Sequence, residues 1–269
     1  MKLSISNIAW EKADDNQMYL NMKNLGFSGI EIAPTRLFGS TPYDNLSDAA
    51  MFSKALYQEF GLSVCSMQSI WFGITERLFG SKEERLFLVE YTKKAIDFAA
   101  VMSCPNLVFG CPKNRYFIEG SSIELAHDFF CDLGNYAASK GTVLALEANP
   151  VIYNTNFINT TKEAIELVKR VDSKGFRVNL DLGTVIYNKE DISSLRNDFK
   201  YINHIHISEP NLLPLEQRKL HNEVMLMATD FGYNGYFSIE IGKTAIEEVK
   251  CSMTYIESCR SFCLREVTS

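Results

Sequence analysis

Eight short β-rich apolar runs recur along the chain, each followed by a longer helix-forming stretch. They begin near Leu3 (LSIS), Ser28 (SGIEIA), Ser63 (SVCSMQ), Asn106 (NLVFG), Thr142 (TVLALE), Arg177 (RVNLDL), Ile202 (INHIHIS) and Tyr236 (YFSIEI). The mean step is about 33 residues, the length of one βα unit. Such a rhythm restricts the fold to two α/β architectures, a closed (β/α)8 TIM barrel or an open doubly wound sheet. The open nucleotide-binding form carries G-x-G-x-x-G or G-x-x-x-x-G-K-[ST] after its first strand, and neither occurs here. A barrel is therefore expected, as a single domain over residues 1–269. Several of the runs are apolar throughout, as in parallel strands covered on both faces.

The stretches between them carry helix-start signals. Ser81…Glu84, Ser121…Glu124, Thr160…Glu163 and Thr244…Glu247 show the Ser/Thr-x-x-Glu spacing, in which two side chains satisfy orphan N–H groups. Lys140–Gly141 and Lys174–Gly175 precede strands, where helix C-caps are expected.

Composition narrows the function. Acidic residues outnumber basic ones by 33 to 27, for a net charge of −6. Such a surface does not favour phosphate-backbone contacts, so nucleic acid is not an expected partner. No apolar run reaches the roughly 18 residues of a membrane helix, and MKLSISNIAWEKADD does not read as a signal peptide. The seven Cys include no CxxC pair; reduced thiols in a cytoplasmic protein are expected. The sequence leaves a homo-oligomer open.

Active sites of such barrels sit at the C-terminal ends of the strands. Each of the last four runs ends there in a metal-ligand residue type: Glu147, Asp181, His206 and Glu240, spaced by 34, 25 and 34 residues. Three carboxylates and an imidazole converging in a low-dielectric mouth repel one another unless a cation neutralises them. The O3N donor set suits Mn2+, Mg2+ or Co2+, with Zn2+ also compatible. A single acid reads equally well as a helix cap, Asp181 above all; four in successive strands do not. His204 and His206 point to one side of their strand. His206 lies nearer the end and is the expected ligand, with His204 a buried core histidine.

The strings ALE (145–147), NLDLGT (179–184), HIHISEP (204–210) and SIEIG (238–242) resemble the sugar isomerase/epimerase superfamily of xylose-isomerase-like barrels. NTNFINTTKEAIELV (154–168) extends the likeness, which covers nearly the whole chain. That group includes ketose 3-epimerases, hydroxypyruvate isomerase, inosose dehydratase and the endonuclease IV branch. The resemblance implies that Glu147, Asp181, His206 and Glu240 bind one divalent cation. Three positions depart from the epimerases: Thr184 replaces a usual His, Leu212 an Arg and Tyr153 a Glu. In the family those residues help to hold free sugar hydroxyls.

Other strand-end residues are candidates for substrate binding. Glu31 and Gln68 close the second and third runs, Asn149 follows Glu147, and Lys243 follows Glu240. Lys113 and Arg115 come just after the fourth run, where two cations at a rim would suit a phosphate or carboxylate. Trp71 and Phe72 read either as an apolar wall over a sugar or as loop packing. Glu209 reads as a rim residue. His127, His221 and the Cys259/Cys263 pair fit surface or helix-packing roles.

The chemistry expected is that of a metal-dependent isomerase or epimerase acting on a small sugar or sugar phosphate of ketose type. A cation polarises the carbonyl and stabilises the enediolate, while Glu147 and Glu240 act as the acid–base pair. Rival readings are a dehydratase of inosose type, a catalytically silent sugar-binding barrel and a DNA-repair endonuclease. The last resembles a three-zinc enzyme with mostly His as extra ligands, and this chain has only four His.

Overall fold

A computed structural model describes residues 1–268. The strands are β1 (Lys2–Ser6), β2 (Gly29–Ile32), β3 (Ser63–Met67), β4 (Asn106–Phe109), β5 (Val143–Glu147), β6 (Phe176–Asp181), β7 (Ile202–Ser208) and β8 (Tyr236–Glu240). Each pairs in parallel with the next and β8 pairs with β1, which closes the barrel. The helices are α1 (Asp15–Asn24), α2 (Pro34–Phe38), α3 (Leu46–Phe60), α4 (Lys82–Val101), α5 (Glu124–Ser139), α6 (Thr161–Val171), α7 (Leu182–Asn188), α8 (Lys219–Asp230) and α9 (Ile246–Thr268). No helix among the described residues is long and apolar enough to cross a membrane.

The strands are buried on both faces, but those faces differ. In β6, β7 and β8 polar and apolar residues alternate: Asn179–Leu180–Asp181, His204–Ile205–His206–Ile207–Ser208 and Ser238–Ile239–Glu240. Period-two geometry sends one set inward and the other towards the helices. The expectation of uniformly apolar strands is therefore corrected: the barrel interior carries serines, asparagines, histidines and acids. The apolar mass lies between barrel and helices. There Trp71, Phe109, Phe130 and Phe176 form a chain of ring contacts at 4.7, 5.0 and 4.6 Å.

Two of the four capping boxes form. Ser81 and Glu84 close one at α4, and Thr160 and Glu163 the other at α6. At α5 Ile123 takes the cap position, leaving Ser122 Oγ to accept from the Glu124 N–H at 3.2 Å. At α9 the helix begins at Ile246, and the Thr244 N–H donates to the Ala9 carbonyl at 3.1 Å. Lys140 does cap α5, but α6 ends on Asp172 in the left-handed region, φ 49°. Gly175 serves close approach instead of a cap. A Cβ there would stand 2.1 Å from the Gly134 carbonyl oxygen of α5.

Candidate metal centre

Strand register gathers the four expected ligands. Asp181 of β6 lies opposite His206 of β7, Glu147 of β5 opposite Asn179, and Glu240 of β8 opposite Ser208. All point inward at the C-terminal end of the barrel. Their ligand atoms lie within 4.8 Å of one another.

His206 stands at the centre. Its Nδ1 is 3.0 Å from Glu147 Oε1, 3.0 Å from Glu240 Oε2 and 3.2 Å from Asn179 Nδ2. Its Nε2 is 3.0 Å from Glu31 Oε2. One ring nitrogen thus faces the cluster while the other is held by a carboxylate beneath, an arrangement that orients metal-binding histidines. Glu147 is held at both oxygens, by Asn179 Nδ2 at 2.7 Å and Asn149 Nδ2 at 2.9 Å. Asp181 Oδ1 accepts from the Thr184 N–H at 2.6 Å and from Thr184 Oγ1 at 2.8 Å, and Oδ2 accepts from Ser208 Oγ. Asp181 is therefore both the cap of α7 and a member of the cluster.

The electrostatics are those of a site short of positive charge. Burial, followed by the charge of Glu147, pushes the Asp181 carboxyl up to about 6. Burial is also the main cause that lifts Glu240 to about 7, with Glu147 and Glu31 adding to it and His206 opposing. Burial works against charge on His206, yet Glu240, Glu31 and Glu147 hold its pKa well above the ordinary histidine value. Burial likewise opposes ionisation of Glu31, but His206 and His204 overcome it and lower its pKa. Three acids against one imidazole, mutually repelling and pre-oriented, fit a divalent cation. The oxygen-rich donor set is the kind that Mn2+, Mg2+ and Co2+ prefer.

A cleft of about 180 Å3 opens over the cluster, walled in part by Gln68, Gly110, Asn149, Tyr153 and Leu212. That is smaller than the roughly 300–1,000 Å3 of drug-sized pockets. Gly110 is needed for the approach: a Cβ there would lie 2.9 Å from Glu147 Oε2. The Tyr153 hydroxyl accepts from the Asn211 N–H at 2.9 Å. Burial, and then the charge of Asp181, raise its pKa to about 12, so it is neutral with its proton to give.

The other sequence candidates divide. Gln68 and Asn149 line the cleft; Gln68 Nε2 donates to Ser6 Oγ at 2.7 Å. Glu31 is fully enclosed beneath His206 and does not line the cleft. Arg115 is not a rim cation. It is fully buried, and its Nη2 donates to the Glu147 carbonyl at 2.8 Å and to Asn149 Oδ1 at 2.7 Å. Lys113 is exposed on the turn after β4, outside the cleft lining. Lys243 is exposed and pairs with Glu11 at 2.7 Å. Glu209 is buried, not at the rim, and binds Arg218 at 2.7 Å. His204 is buried, with Nε2 3.3 Å from Glu31 Oε2 in an ion contact without hydrogen-bond alignment. Trp71 packs internally, while Phe72 is exposed. His127 pairs with Asp128 on the surface, His221 is buried against the Tyr255 hydroxyl, and Cys259 and Cys263 are buried free thiols. Sequence reasoning missed Asn179 and Ser208, although each lies two residues from a ligand on the same strand face.

Comparison with known proteins agrees with this architecture. The family profile described as xylose isomerase-like TIM barrel matches residues 20–259. No curated protein sequence matches the chain. Among solved structures, 3-keto-D-glucoside 4-epimerase YcjR from E. coli is 19% identical, with a TM-score of 0.75, covering 97% of this chain and 99% of that one. D-psicose 3-epimerase from Clostridium cellulolyticum H10, solved with D-tagatose, is 19% identical with a TM-score of 0.74 over 98% and 99%. An L-ribulose 3-epimerase is 16% identical with a TM-score of 0.75 over 100% and 97%.

Proposed function

The chain belongs to the xylose isomerase-like TIM-barrel family, and from that premise we propose that it is a divalent-metal-dependent epimerase or isomerase of a small, ketose-type sugar. The observation that carries this reading is the pair of carboxylates on either side of His206. Glu147 and Glu240 come from β5 and β8 and reach the same imidazole nitrogen at 3.0 Å. The epimerase activities named for structures of the same fold support it.

Glu147, Asp181, His206 and Glu240 would hold the cation, with Mn2+, Mg2+ or Co2+ suiting the donors best and Zn2+ also compatible. Such an ion supplies Lewis-acid polarisation of a carbonyl oxygen. The protein's own groups do the rest. One of Glu147 and Glu240 removes the proton from the carbon beside the carbonyl, and the electron pair of that C–H bond moves towards the carbonyl oxygen. The opposite glutamate returns a proton. Return to the same carbon from the other face gives an epimer; return to the former carbonyl carbon gives an isomer. Glu147 is oriented for this by Asn179 and Asn149. Tyr153 offers its O–H to a substrate oxygen, and Gln68 supplies a further polar wall. A phosphate finds no partner here, because no Lys or Arg lines the cleft.

The test is solvent exchange. Protein loaded with Mn2+ is incubated in D2O with D-fructose, D-tagatose and L-ribulose, and deuterium at the carbon beside the carbonyl is followed by NMR. Exchange that requires the metal, and is lost in Glu147→Gln and Glu240→Gln with the fold intact, is the expected result. Full exchange in either variant removes that residue from its role.

A further inference from the structure

The cleft over the cluster does not stop at Ser69. That residue is also a wall of a second, larger cleft of about 580 Å3. The outer cleft is built from Ile8 after β1, from Ala33, Thr35, Arg36, Gly39 and Ser40 after β2, and from Phe72 to Ile74 after β3. All follow the C-terminal ends of strands, so both clefts open on the same end of the barrel and join at Ser69.

The chemistry changes across that junction. The inner cleft presents carboxylates and side-chain amides. The outer one presents Ile8, Ala33, Phe72 and Ile74, with no carboxylate. Its one charged side chain, Arg36, is already committed to Asp15 at 2.7 Å and to the Trp10 carbonyl at 3.2 Å. Neither cleft therefore offers a free cation to an anionic tail. Phe72 is 69% exposed, yet its turn is tied down. Its N–H donates to the Ser69 carbonyl at 2.9 Å, and the Ile74 N–H to the Trp71 carbonyl at 3.0 Å. Asn114 Nδ2 donates to the Ile74 carbonyl at 2.9 Å, and Trp71 is anchored on Thr92 Oγ1 at 2.9 Å. An aromatic ring displayed on fixed backbone beside a reaction site is a prepared stacking surface, because little motion is lost when a partner lies on it.

We propose that the outer cleft is a subsite for a second ring attached to the reacting sugar. The substrate is then a ring-bearing glycoside of a keto sugar and not a free monosaccharide. The ring presents a flat, mostly apolar face to Phe72, either an aryl group or the C–H face of another sugar. This deepens the sugar-epimerase reading of the inner cleft and rests on it.

The experiment uses unreactive probes with the full chain and Mn2+. Affinities for methyl β-D-glucoside, phenyl β-D-glucoside and cellobiose are measured by calorimetry with the native protein and with Phe72→Ala, whose folding is checked by circular dichroism. Phenyl glucoside or cellobiose is expected to bind about tenfold more tightly than methyl glucoside. Phe72→Ala should erase that preference and leave the methyl glucoside affinity unchanged. The tighter of the two identifies the ring. Equal affinity for all three, or a preference that survives Phe72→Ala, overturns the proposal. Solvent exchange on free ketoses places nothing in the outer cleft. Its failure therefore rejects the epimerase reading, whereas a flat probe series with exchange intact rejects only the subsite.

Discussion

Arg115 Nη2 donates to Asn149 Oδ1 at 2.7 Å, and this bond decides which way the asparagine amide faces. With its oxygen turned to Arg115, Asn149 must present its nitrogen to Glu147 Oε2, which it meets at 2.9 Å. A buried guanidinium outside the cleft thereby sets the angle of a carboxylate inside it. Replacing Asn149 by Leu should leave the barrel folded and weaken Mn2+ binding by about 10–100-fold, the usual loss when a ligand's supporting bond is removed. Arg115→Met should produce a similar loss through the same chain. Calorimetric titration with Mn2+ measures both; unchanged affinity in both variants would show that Glu147 orients itself.

Metal binding should also appear as stability. At a free metal concentration about 100 times the Kd, an ion that binds only the native state adds about 2.7 kcal/mol. For a chain of this size that raises the melting temperature by roughly 5–10 °C. Asp181→Asn separates the roles of Asp181, because Asn caps a helix as Asp does while removing one negative charge from the cluster. In EDTA the variant should melt no lower than the native protein, since repulsion with Glu147 is relieved. In Mn2+ it should lose most of the metal-dependent gain. Thermal scans in EDTA and in Mn2+ decide it, and an equal gain in the variant would exclude Asp181 from the site.

The barrel and its ligand set were legible for one physical reason. Parallel strands flanked by helices bury both faces, so each reads as an apolar run, and period-two alternation marks which residues turn inward. Asn179 and Ser208 obey the same alternation, two residues from Asp181 and His206, and were available to that reasoning. Arg115 was not. A cation just after a strand reads as a rim residue, and only the turn at Pro112–Arg115 carries it under the end of β5. Lys243 finds Glu11 from the far end of the sequence, a contact that closure of the barrel creates and local pattern cannot announce. The boxes at Ser121 and Thr244 failed similarly, because the preceding loop sets where each helix starts.

Tyr153 is expected to act as a neutral donor. Its oxygen already accepts from the Asn211 N–H, and its pKa of about 12 keeps the proton on at any working pH. Tyr153→Phe keeps the ring and removes only the O–H. Losing one neutral hydrogen bond to substrate should lower kcat/KM about tenfold, without a new pH dependence between pH 6 and 9. A steady-state pH profile of the variant measures both, and an unaltered kcat/KM would leave Tyr153 as a packing residue.

His221 should make the fold acid-sensitive. It is buried on α8, with Nδ1 2.9 Å from the Tyr255 hydroxyl. Burial, and then the nearby Arg218 charge, lower its pKa from 6.5 to about 4. The unfolded chain therefore binds a proton at higher pH than the folded one. Above about pH 6.5 neither state carries it and His221 costs nothing. As pH falls from 6.5 towards 4, protonation favours the unfolded chain and stability declines, by about 2 kcal/mol from this residue at pH 5. Below 4 both states are protonated and its contribution levels off. Urea unfolding at pH 7 and pH 5 should show the decline in the native protein and a shallower one in His221→Gln, which keeps a polar side chain for Tyr255. Equal slopes in the two proteins would assign the acid sensitivity to other groups.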